Sequence, residues 1–402
     1  MKDFRADFPV LKKTMHGKPL VYLDSAATAQ KPVSVIEAIQ NFYNHHYGTV
    51  HRAVYGLAVE ATERFQKVRI LSQKFLNAAK DSEIIFTKGT TESINLVASS
   101  FGKAFIKPKD EILITEMEHH SNIVPWQLLC QERGAVLKVV PFNDLGVLDL
   151  EAYQALLSSR TKLFACTHIS NTLGTVNPIK KLIKIAHAAG ASVLIDGAQA
   201  APQRPIDIQD LDADFYVFSG HKAYGPTGIG VLYGKEALLE SMPPYQGGGD
   251  MIESVTFEKT TYNVLPMKFE AGTPLIAEVM GLGAALEYLE NVKRANIHQW
   301  EQELLDYALN LLKEIPEVHF IGEAPEKGGI ISFIIPGVHP LDIGTLLDLK
   351  GIAIRTGHLC AQPVMRHFGV TSVARISFGL YTSKEDIDIF AKGLKEVIGQ
   401  LC

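Results

Sequence analysis

The sequence predicts an α/β protein with a mainly parallel sheet in a large domain and a smaller α+β domain towards the C-terminal end. Short apolar segments alternate with helical segments from about residue 83 to residue 233, which is typical of a parallel sheet covered by helices on both faces. From about residue 297 the order of helices and strands becomes mixed. The chain of 402 residues also exceeds the roughly 250–300 residues at which one hydrophobic core stops growing, so we expect more than one core.

The elements of the large domain are predicted from apolar periodicity. A short strand is expected at 21–24, followed by helices at 34–47 and 62–77. The strand candidates are 83–87, 111–115, 136–141, 163–168, 193–196, 215–219 and 229–233. Helices are expected between most of these strands, at 93–101, 124–133 and 179–189.

The remainder of the chain contains a long loop and a second unit. The segment 243–273 is rich in Gly, Pro and Thr and has little periodicity, which predicts a loop. After a helix that starts near residue 281, the second unit is expected to contain strands at 329–335, 352–355 and 374–377 and helices at 340–349 and 384–401. We therefore divide the chain into an N-terminal segment (1–20) that packs with the small domain, a large domain (21–290) and a small domain (291–402).

Composition excludes several classes of protein. The chain is 47% hydrophobic and 21% charged, with a net charge of −5 and no basic patch, so a nucleic-acid partner is not expected. No apolar run reaches about 20 residues, so no membrane span is expected. The start of the chain carries acids and no apolar signal segment, and its four cysteines are widely separated. These features predict a cytoplasmic protein with reduced thiols.

Two buried strands end in residues of opposite charge. The apolar run 214–219 leads through Ser219, Gly220 and His221 to Lys222, and the run 191–195 ends in Asp196. Open α/β sheets place their sites at such strand ends. Each residue alone is more often a surface lysine or a helix cap. Together they match the needs of pyridoxal 5'-phosphate (PLP), because a lysine forms the Schiff base and an acid keeps the pyridine nitrogen protonated.

A phosphate site is predicted where a strand passes through Gly89 into a helix at Thr90 and Thr91. Free N–H groups at a helix N-terminus bind anions, and the two hydroxyl groups add donors. Ser219 and His221, beside the lysine turn, are further candidates for holding the phosphate. The competing interpretation of the glycine turn is an ordinary helix cap.

Other polar residues follow the remaining strands. His119 follows the strand at 111–115, where a flat imidazole can stack on a pyridine ring and exchange protons. Zinc binding by His119 and His120 competes with this interpretation, but adjacent histidines rarely chelate one ion, and no thiolate or third histidine joins them in the sequence. Asn171 is a candidate ligand of a substrate carboxylate or of the ring hydroxyl. Gln199 is a candidate donor to the phenolate oxygen of the cofactor.

Cys360 differs from the other cysteines because Gly, His, Gln and Pro surround it. A thiol needs nearby positive charge or a base to become a good nucleophile, and Arg355 and His358 are close enough in sequence to supply one. Cys130 and Cys166 lie in apolar runs, where a cysteine usually acts as a small hydrophobic residue. Cys402, the C-terminal residue, is expected to have no role.

Motifs spread over essentially the whole chain resemble those of group II, SUF-type cysteine desulfurases and selenocysteine lyases. They are YLDSAA (22–27), VHR (50–52), GTTE (89–92), MEHHSNIVPW (117–126), DGAQ (196–199), YVFSGHK (216–222), YGPTGIG (224–230), FEAGTP (269–274) and RTGHLCAQP (355–363). The resemblance implies fold type I of the PLP-dependent enzymes, with a seven-stranded sheet in the large domain. It also implies a homodimer with its active sites at the subunit interface.

The resemblance also implies roles for individual residues. Lys222 carries the cofactor, Asp196 pairs with its pyridine nitrogen, Gln199 with its ring oxygen, and His119 stacks on its ring. Thr91, Ser219 and His221 hold the phosphate, and Thr273 reaches in from the neighbouring subunit. Arg375, helped by Asn171, binds the substrate carboxylate, while Arg355 orients the loop with Cys360. Cys360 takes sulfur from L-cysteine as a persulfide, L-alanine leaves, and an acceptor protein collects the sulfur.

The chain departs from the family pattern at three positions. Leu359 stands where many relatives have a second histidine before the cysteine, and Leu275 where they often have asparagine. Leu341 stands where relatives served by a zinc-bearing acceptor tend to have histidine, which favours a SufE-like acceptor. Three alternatives remain: a selenocysteine lyase that acts on L-selenocysteine, a plain aminotransferase, which would not need Cys360, and a scaffold without activity, against which the intact set of site residues argues.

Overall fold

The computed structural model describes residues 4–401, and its strands and helices are numbered here in chain order. The strands are β1 (Thr14–Met15), β2 (Lys18–Pro19), β3 (Val21–Tyr22), β4 (Ile84–Thr87), β5 (Glu111–Thr115), β6 (Val136–Val140), β7 (Thr161–Thr167), β8 (Ser192–Asp196), β9 (Phe215–Ser219), β10 (Gly230–Gly234), β11 (Ile252–Val255), β12 (Thr260–Tyr262), β13 (His319–Ile321), β14 (Ile330–Ile334), β15 (Ile352–Ala353), β16 (Arg355–Gly357) and β17 (Val373–Ser377). The helices are α1 (Val33–Asn41), α2 (Gly56–Leu76), α3 (Thr90–Phe105), α4 (Val124–Arg133), α5 (Leu150–Leu156), α6 (Ile179–Ala188), α7 (Ile208–Leu211), α8 (Glu236–Ser241), α9 (Ile276–Val292), α10 (Arg294–Lys313), α11 (Pro340–Asp348), α12 (Gln362–His367) and α13 (Lys384–Leu401).

A seven-stranded sheet forms the centre of the large domain, in the order β4-β10-β9-β8-β7-β5-β6. Strand β10 runs antiparallel to both of its neighbours, whereas the other neighbouring pairs are parallel. The mainly parallel seven-stranded sheet and the predicted fold class are therefore confirmed. Since β4, β5, β7, β8 and β9 run in the same direction, the loops that follow their carboxyl ends lie along one edge of the sheet.

Helices cover both faces of this sheet, which explains why its strands are apolar throughout rather than alternating. Leu163 and Ala165 of β7 pack with α3 and α4 on one face, while Phe164 and Cys166 pack with α2, α6 and α9 on the other. Trp126 of α4 is fully buried on the first face, where its indole N–H donates to Asn122 at 2.9 Å. Strands β5, β8 and β9 are thus buried on both faces almost throughout, whereas β6 at the edge of the sheet is partly exposed.

A second sheet has the order β13-β14-β17-β16 and is antiparallel. Its core is separate from the two cores of the large sheet and includes residues of α10, α11 and α13. The N-terminal segment contacts this region: the guanidinium group of Arg5 forms an ion pair with Asp386 at 2.8 Å, and Phe8 packs edge-on against Tyr381 with ring centroids 4.8 Å apart. The domain limits at residues 20 and 290 remain predictions.

The structure corrects two expectations about local structure. The predicted loop 243–273 contains a two-stranded hairpin, β11–β12, whose side chains are largely exposed. The predicted strand 352–355 is split: Ala353 pairs with β3, whereas Arg355 pairs with β17 of the second sheet. Cys402 lies outside the described residues. Within residues 4–401, none of the helices combines the length and hydropathy that a membrane-spanning segment requires.

Candidate active site

A cavity of about 210 Å³ opens at the carboxyl ends of the parallel strands, between the large sheet and the second sheet. Every predicted site residue except Thr273 lines it. These residues are Thr90, Thr91, His119, Asn171, Asp196, Gln199, Ser219, His221, Lys222, Arg355, Cys360 and Arg375. Thr273 is exposed and lies outside the cavity. Residues far apart in sequence therefore meet because successive strands end at the same edge.

Lys222 and Asp196 are a pair of buried ionisable residues that line the cavity. Strand β8 ends at Asp196, and the neighbouring β9 leads through a single 3₁₀ turn to Lys222. Burial lowers the pKa of the Lys222 amine, and the negative charge of Asp196 opposes this shift. Burial raises the pKa of Asp196, against a hydrogen bond from the N–H of Ala198 at 2.9 Å and the charge of Lys222. The lowered pKa favours the neutral amine, which is the nucleophilic form.

A cradle for an anion lies where β4 passes into α3. Gly89 has φ +149°, and a side-chain carbon on Gly230 would lie only 2.4 Å from its Cα atom, so the two glycines permit a close backbone approach. The hydroxyl oxygen of Ser219 accepts a hydrogen bond from the N–H of Thr90 at 2.8 Å and donates to its hydroxyl oxygen at 2.8 Å. Thr91 bonds to Ser121, a cavity residue that the sequence analysis did not single out. The first turn of a 16-residue helix thus borders the cavity.

His221 and His119 are held as neutral imidazoles. Burial, followed by the charges of Lys222 and Lys31, lowers the pKa of His221 to about 4. Burial, followed by the charge of Lys222, lowers the pKa of His119 to about 3. The Nδ1 atom of His119 accepts a hydrogen bond from the N–H of Ser121 at 3.1 Å, so the ring proton is on Nε2. A neutral, oriented ring suits stacking and proton exchange.

Glu118, to which the sequence analysis gave no role, stabilises the turn 118–122 through buried hydrogen bonds. Its buried carboxyl group accepts hydrogen bonds from the N–H of Thr167 at 2.9 Å and from the amide of Asn122 at 2.6 Å. It thereby joins the turn after β5, which contains His119, to the end of β7. Burial raises the pKa of Glu118 to about 8. Glu118 lies in one of the quoted motifs, but its role depends on Thr167, which is distant in sequence and meets it only in the folded chain.

Arg375 is positioned as a receptor for a carboxylate. Its guanidinium group donates to the carbonyl oxygen of Asn171 at 2.8 Å and to the carboxylate of Asp24 at 2.9 Å. Its Nε atom is buried and has no hydrogen-bond partner among residues 4–401. Arg355 lies opposite Arg375 on the adjacent strand, with one guanidinium nitrogen 3.9 Å from Asp24. Asp24 is a second residue that the sequence analysis left without a role, although it lies in one of the quoted motifs.

The Cys360 thiol enters the cavity on a loop with unusual backbone geometry. Leu359 and Cys360 have φ values of +52° and +55°, which residues other than glycine adopt only when their surroundings enforce them. The amide of Asn171 donates to the carbonyl oxygen of Leu359, and the N–H of His120 donates to that of Cys360, both at 2.7 Å. Asn171 thus holds the loop rather than pointing a free amide at a substrate. Leu359 is buried in the core, and its side chain has no acidic or basic group that could transfer a proton.

The thiols of Cys130 and Cys166 are poor candidates for a nucleophile, because burial favours their protonated form. Burial raises the pKa of Cys130 to about 11 and that of Cys166 well above its ordinary value. The fold nevertheless brings His358 and Cys360 to His120, so the absence of a nearby thiol or third histidine in the sequence does not exclude zinc at His120. One donor atom from each of these three residues lies within 4.8 Å of the other two. The Cys360 thiol and a second imidazole, that of His358, thus lie beside His120, although they are distant from it in sequence.

The residues lining the cavity fit a phosphorylated pyridine cofactor. The Lys222 amine makes no hydrogen bond to any residue from 4 to 401, so it is available for a covalent bond. Asp196 is a buried carboxylate that needs a cationic partner. The glycine turn and helix terminus at Thr90 provide donors for a phosphate. An amine, an acid and an anion cradle around one cavity are the set that PLP requires.

Comparisons with known proteins agree with this geometry. The sequence pattern of the Aminotransferase class-V family matches residues 21–390. A cysteine desulfurase of Pectobacterium atrosepticum is 51% identical over 98% of this chain and 97% of its own length. The crystal structure of the cysteine desulfurase CsdA (S-sulfonic acid) from Escherichia coli superposes with a TM-score of 0.92 at 41% identity, covering 99% of this chain and 98% of that chain. The apo structure of a cysteine desulfurase from Thermococcus onnurineus NA1 gives 0.94 at 37% identity, covering 100% and 98%. The chain therefore belongs to the class-V aminotransferase family, and within it to the PLP-dependent cysteine desulfurases.

Proposed function

We propose that the protein is a group II, SUF-type cysteine desulfurase that converts L-cysteine to L-alanine and takes up the sulfur as a persulfide on Cys360. One observation carries this proposal. The Cys360 thiol borders the same small cavity as Lys222, Asp196 and Arg375, so a bound amino acid would contact the cofactor site and the thiol together. The relatives reported above are named cysteine desulfurases, and the alternative of a selenocysteine lyase is not favoured.

Specific residues would hold the cofactor. Asp196 would pair with the pyridine nitrogen, Gln199 with the ring oxygen, and His119 would stack on the ring. The phosphate would be bound by Thr90, Thr91, Ser219 and His221. When bound, PLP supplies an electron sink that allows loss of the substrate Cα proton and weakens the bond between Cβ and sulfur.

The residues around the cofactor have distinct tasks in this proposal. Arg375 would bind the substrate carboxylate, since its guanidinium group carries a positive charge at the lining of the cavity. Asp24 and the carbonyl oxygen of Asn171 keep the guanidinium group in place. Lys222 would accept the Cα proton, since burial lowers the pKa of its amine and thereby favours the neutral, basic form. Its location at a strand end fixes the amine against the substrate.

Sulfur transfer is then a displacement at the substrate sulfur. The Cys360 thiolate forms a bond to that sulfur, the bond from sulfur to Cβ breaks, and its electron pair remains on the carbon side. Protonation of that carbon completes the methyl group of L-alanine. L-Cysteine and one enzyme thiol thus yield L-alanine and one enzyme persulfide, and no external oxidant is needed.

We further propose that a SufE-like protein accepts the sulfur for iron–sulfur cluster assembly. The loop between β16 and α12, residues 358–361, is short and is tied to the large domain at two carbonyl oxygens. A thiol on such a loop has little reach, so the acceptor must approach the cavity. Leu341 is exposed at the start of α11, and a leucine cannot act as a ligand of a zinc ion carried by an acceptor.

A homodimer with shared active sites is part of the proposal. Thr273 is exposed and does not reach the cavity of its own chain. Several large apolar side chains are also exposed, among them Val54 (96%) and Phe257 (108%). Sedimentation at assay concentration tests the dimer, and a fully active monomer would contradict it.

A cytoplasmic location is also proposed, because Cys130 and Cys166 are free thiols.

The direct test of the function follows sulfur on the protein. After a brief pulse of L-cysteine, mass spectrometry of the cofactor-loaded enzyme should find one extra sulfur on the peptide that contains Cys360, together with release of alanine. Extra sulfur on Cys130 or Cys166 would reject the role of Cys360. Parallel turnover of L-selenocysteine measures the alternative activity.

A further inference from the structure

Two imidazole rings flank the Cys360 thiol in this fold. Donor atoms of His120, His358 and Cys360 lie within 4.8 Å of one another, and the two ring centroids are 5.6 Å apart with planes inclined by 34°. The hydrogen bond from the N–H of His120 to the carbonyl oxygen of Cys360, at 2.7 Å, fixes the two segments together. His120 and Cys360 are half-buried and His358 is exposed, so the cluster is open to solvent.

We propose that His120, His358 and Cys360 form a binding site for Zn²⁺. A thiolate with two imidazoles is a ligand set that suits zinc, and three protein ligands leave the fourth tetrahedral position for water or a thiol. Zinc–nitrogen bonds of about 2.0 Å and zinc–sulfur bonds of about 2.3 Å place tetrahedral ligand atoms about 3.3–3.6 Å apart. Starting from separations of at most 4.8 Å, rotations of the side chains bring the three donors to these distances.

Zinc must compete with two existing hydrogen bonds. The Nδ1 atom of His358 accepts from the N–H of Cys360, and the Nε2 atom of His120 accepts from the N–H of Gln362, both at 3.1 Å. Ligation at either nitrogen of a ring ends its present bond, because the other nitrogen of a neutral, metal-bound ring carries the proton. Arg355 and Lys222, which line the active-site cavity together with Cys360, also oppose the binding of a further positive charge at the thiol. Zinc is therefore expected to bind reversibly and not as a permanent structural ion.

Binding has a consequence for catalysis. The thiol proton is released to water when zinc binds, and the sulfur lone pair enters the bond to the metal. A metal-bound Cys360 is not free to attack the sulfur of a substrate, so zinc inhibits sulfur transfer. This inhibition depends on the proposed function of Cys360, whereas the binding itself does not.

The binding test uses the cofactor-loaded enzyme and zinc competition with a chromophoric chelator. We expect one competed Zn²⁺ per chain, at least tenfold weaker binding in His120→Ala and in His358→Ala, and no such binding in Cys360→Ser. His339→Ala, at an exposed helix cap, is the matched control and should bind as the parent does. Co²⁺ provides a second readout, because a thiolate–cobalt absorption band should appear in the parent and be absent in Cys360→Ser. Unchanged zinc affinity in both histidine variants, with their cofactor absorbance intact, would overturn the site.

Activity measurements separate this proposal from the proposed function. Zinc should stop alanine release in the parent, a chelator should restore it, and His120→Ala should need at least tenfold more zinc for half-inhibition of its own activity. If Zn²⁺ binds through these three residues and alanine release continues, the metal site stands and the role of Cys360 as the sulfur acceptor is rejected. If zinc inhibits equally in the parent and in both histidine variants, the site is rejected and the proposed function is unaffected.

Discussion

The floor and the wall of the cavity are built from different kinds of structure. The floor consists of His119, Asp196 and Lys222, which follow strands of the seven-stranded sheet. The wall is the loop 356–362, which carries Cys360. The strands beneath the floor are buried on both faces, whereas the wall connects a short strand to a short helix and contains two consecutive residues with positive φ. Two hydrogen bonds to carbonyl oxygens tie the wall to the large domain.

The difference reflects the two halves of the proposed reaction. Burial of the floor lowers the pKa of His119 to about 3 and also lowers that of Lys222, so charges and protons are fixed before a substrate arrives. The Cys360 thiol of the wall is only half-buried, which suits the proposed roles of contacting a substrate and passing sulfur to an acceptor protein. In the proposed reaction, the residues at the strand ends therefore act on the cofactor, and the loop with Cys360 carries the sulfur. Substitutions in the floor should therefore impair binding or reaction of the cofactor, whereas substitutions in the wall should leave cofactor binding intact.

The largest effect is expected from Lys222→Ala. Loss of the amine removes both the covalent attachment of the cofactor and the acceptor of the Cα proton. Alanine release should fall by about a thousandfold or more, since a positioned acid or base contributes roughly 10²–10⁴ and the covalent attachment of the cofactor is lost as well. Absorbance spectra should lose the band of the lysine-bound cofactor, whereas Lys107→Ala, on the surface, should keep it. Alanine release at the normal rate would remove Lys222 from the active site.

Cys360→Ala tests the wall without touching the floor. Cofactor absorbance and the spectral response to L-cysteine should persist, while alanine release should fall by about a hundredfold or more, because water is a poor acceptor of sulfur. L-Selenocysteine should be partly spared, since its selenol leaves more readily. Cys130→Ala is the matched control. A variant that lost the cofactor along with its activity would show that wall and floor are not independent.

Asp196→Ala should weaken the floor less drastically. A hydrogen bond between charged groups contributes roughly 1.5–3 kcal/mol, so the affinity for PLP should fall by about ten- to 150-fold. Proton removal from the substrate should also slow, because the pyridine nitrogen loses its charged partner. Equilibrium titration with PLP and the rate of alanine release measure the two effects, and Asp144→Ala, at an exposed position, provides the comparison. Parent-like values for both would leave Asp196 with a structural role alone.

The buried strands that end at the floor were predictable from the sequence, whereas short exposed strands and long-range strand pairing were not. Strands buried on both faces appear as continuous apolar runs, so their ends at Asp196 and Lys222 could be read directly. The hairpin β11–β12 was missed because its short strands are exposed and lack an apolar pattern. The split of 352–355 between two sheets depends on pairing with β3 and β17, which lie far away in the chain. Such pairing is not encoded within the segment itself.

Several site contacts were also beyond the reach of local patterns. Asp24 meets Arg375 across 351 positions of the chain, and Glu118 joins the ends of two strands. Both residues act through neighbours that only the folded chain supplies. Zinc binding was not expected from the sequence, because His120 and Cys360 are far apart in the chain and only the fold brings them together. Sequence reasoning thus recovered the residues at strand ends and missed those that hold them in place.

The smallest effect concerns the contact that joins wall to floor. Asn171 follows β7, and its amide holds the carbonyl oxygen of Leu359 at 2.7 Å. A neutral hydrogen bond contributes roughly 0.5–1.5 kcal/mol, so Asn171→Ala should reduce kcat/KM by about two- to tenfold while cofactor absorbance stays unchanged. If the residue positions the loop, hydrogen exchange of residues 356–362 should accelerate, an effect that loss of a substrate contact alone does not produce. Asn143→Ala, in a surface turn, controls for general destabilisation. Unchanged exchange together with a raised KM would show that Asn171 serves the substrate carboxylate and that the loop is held by His120.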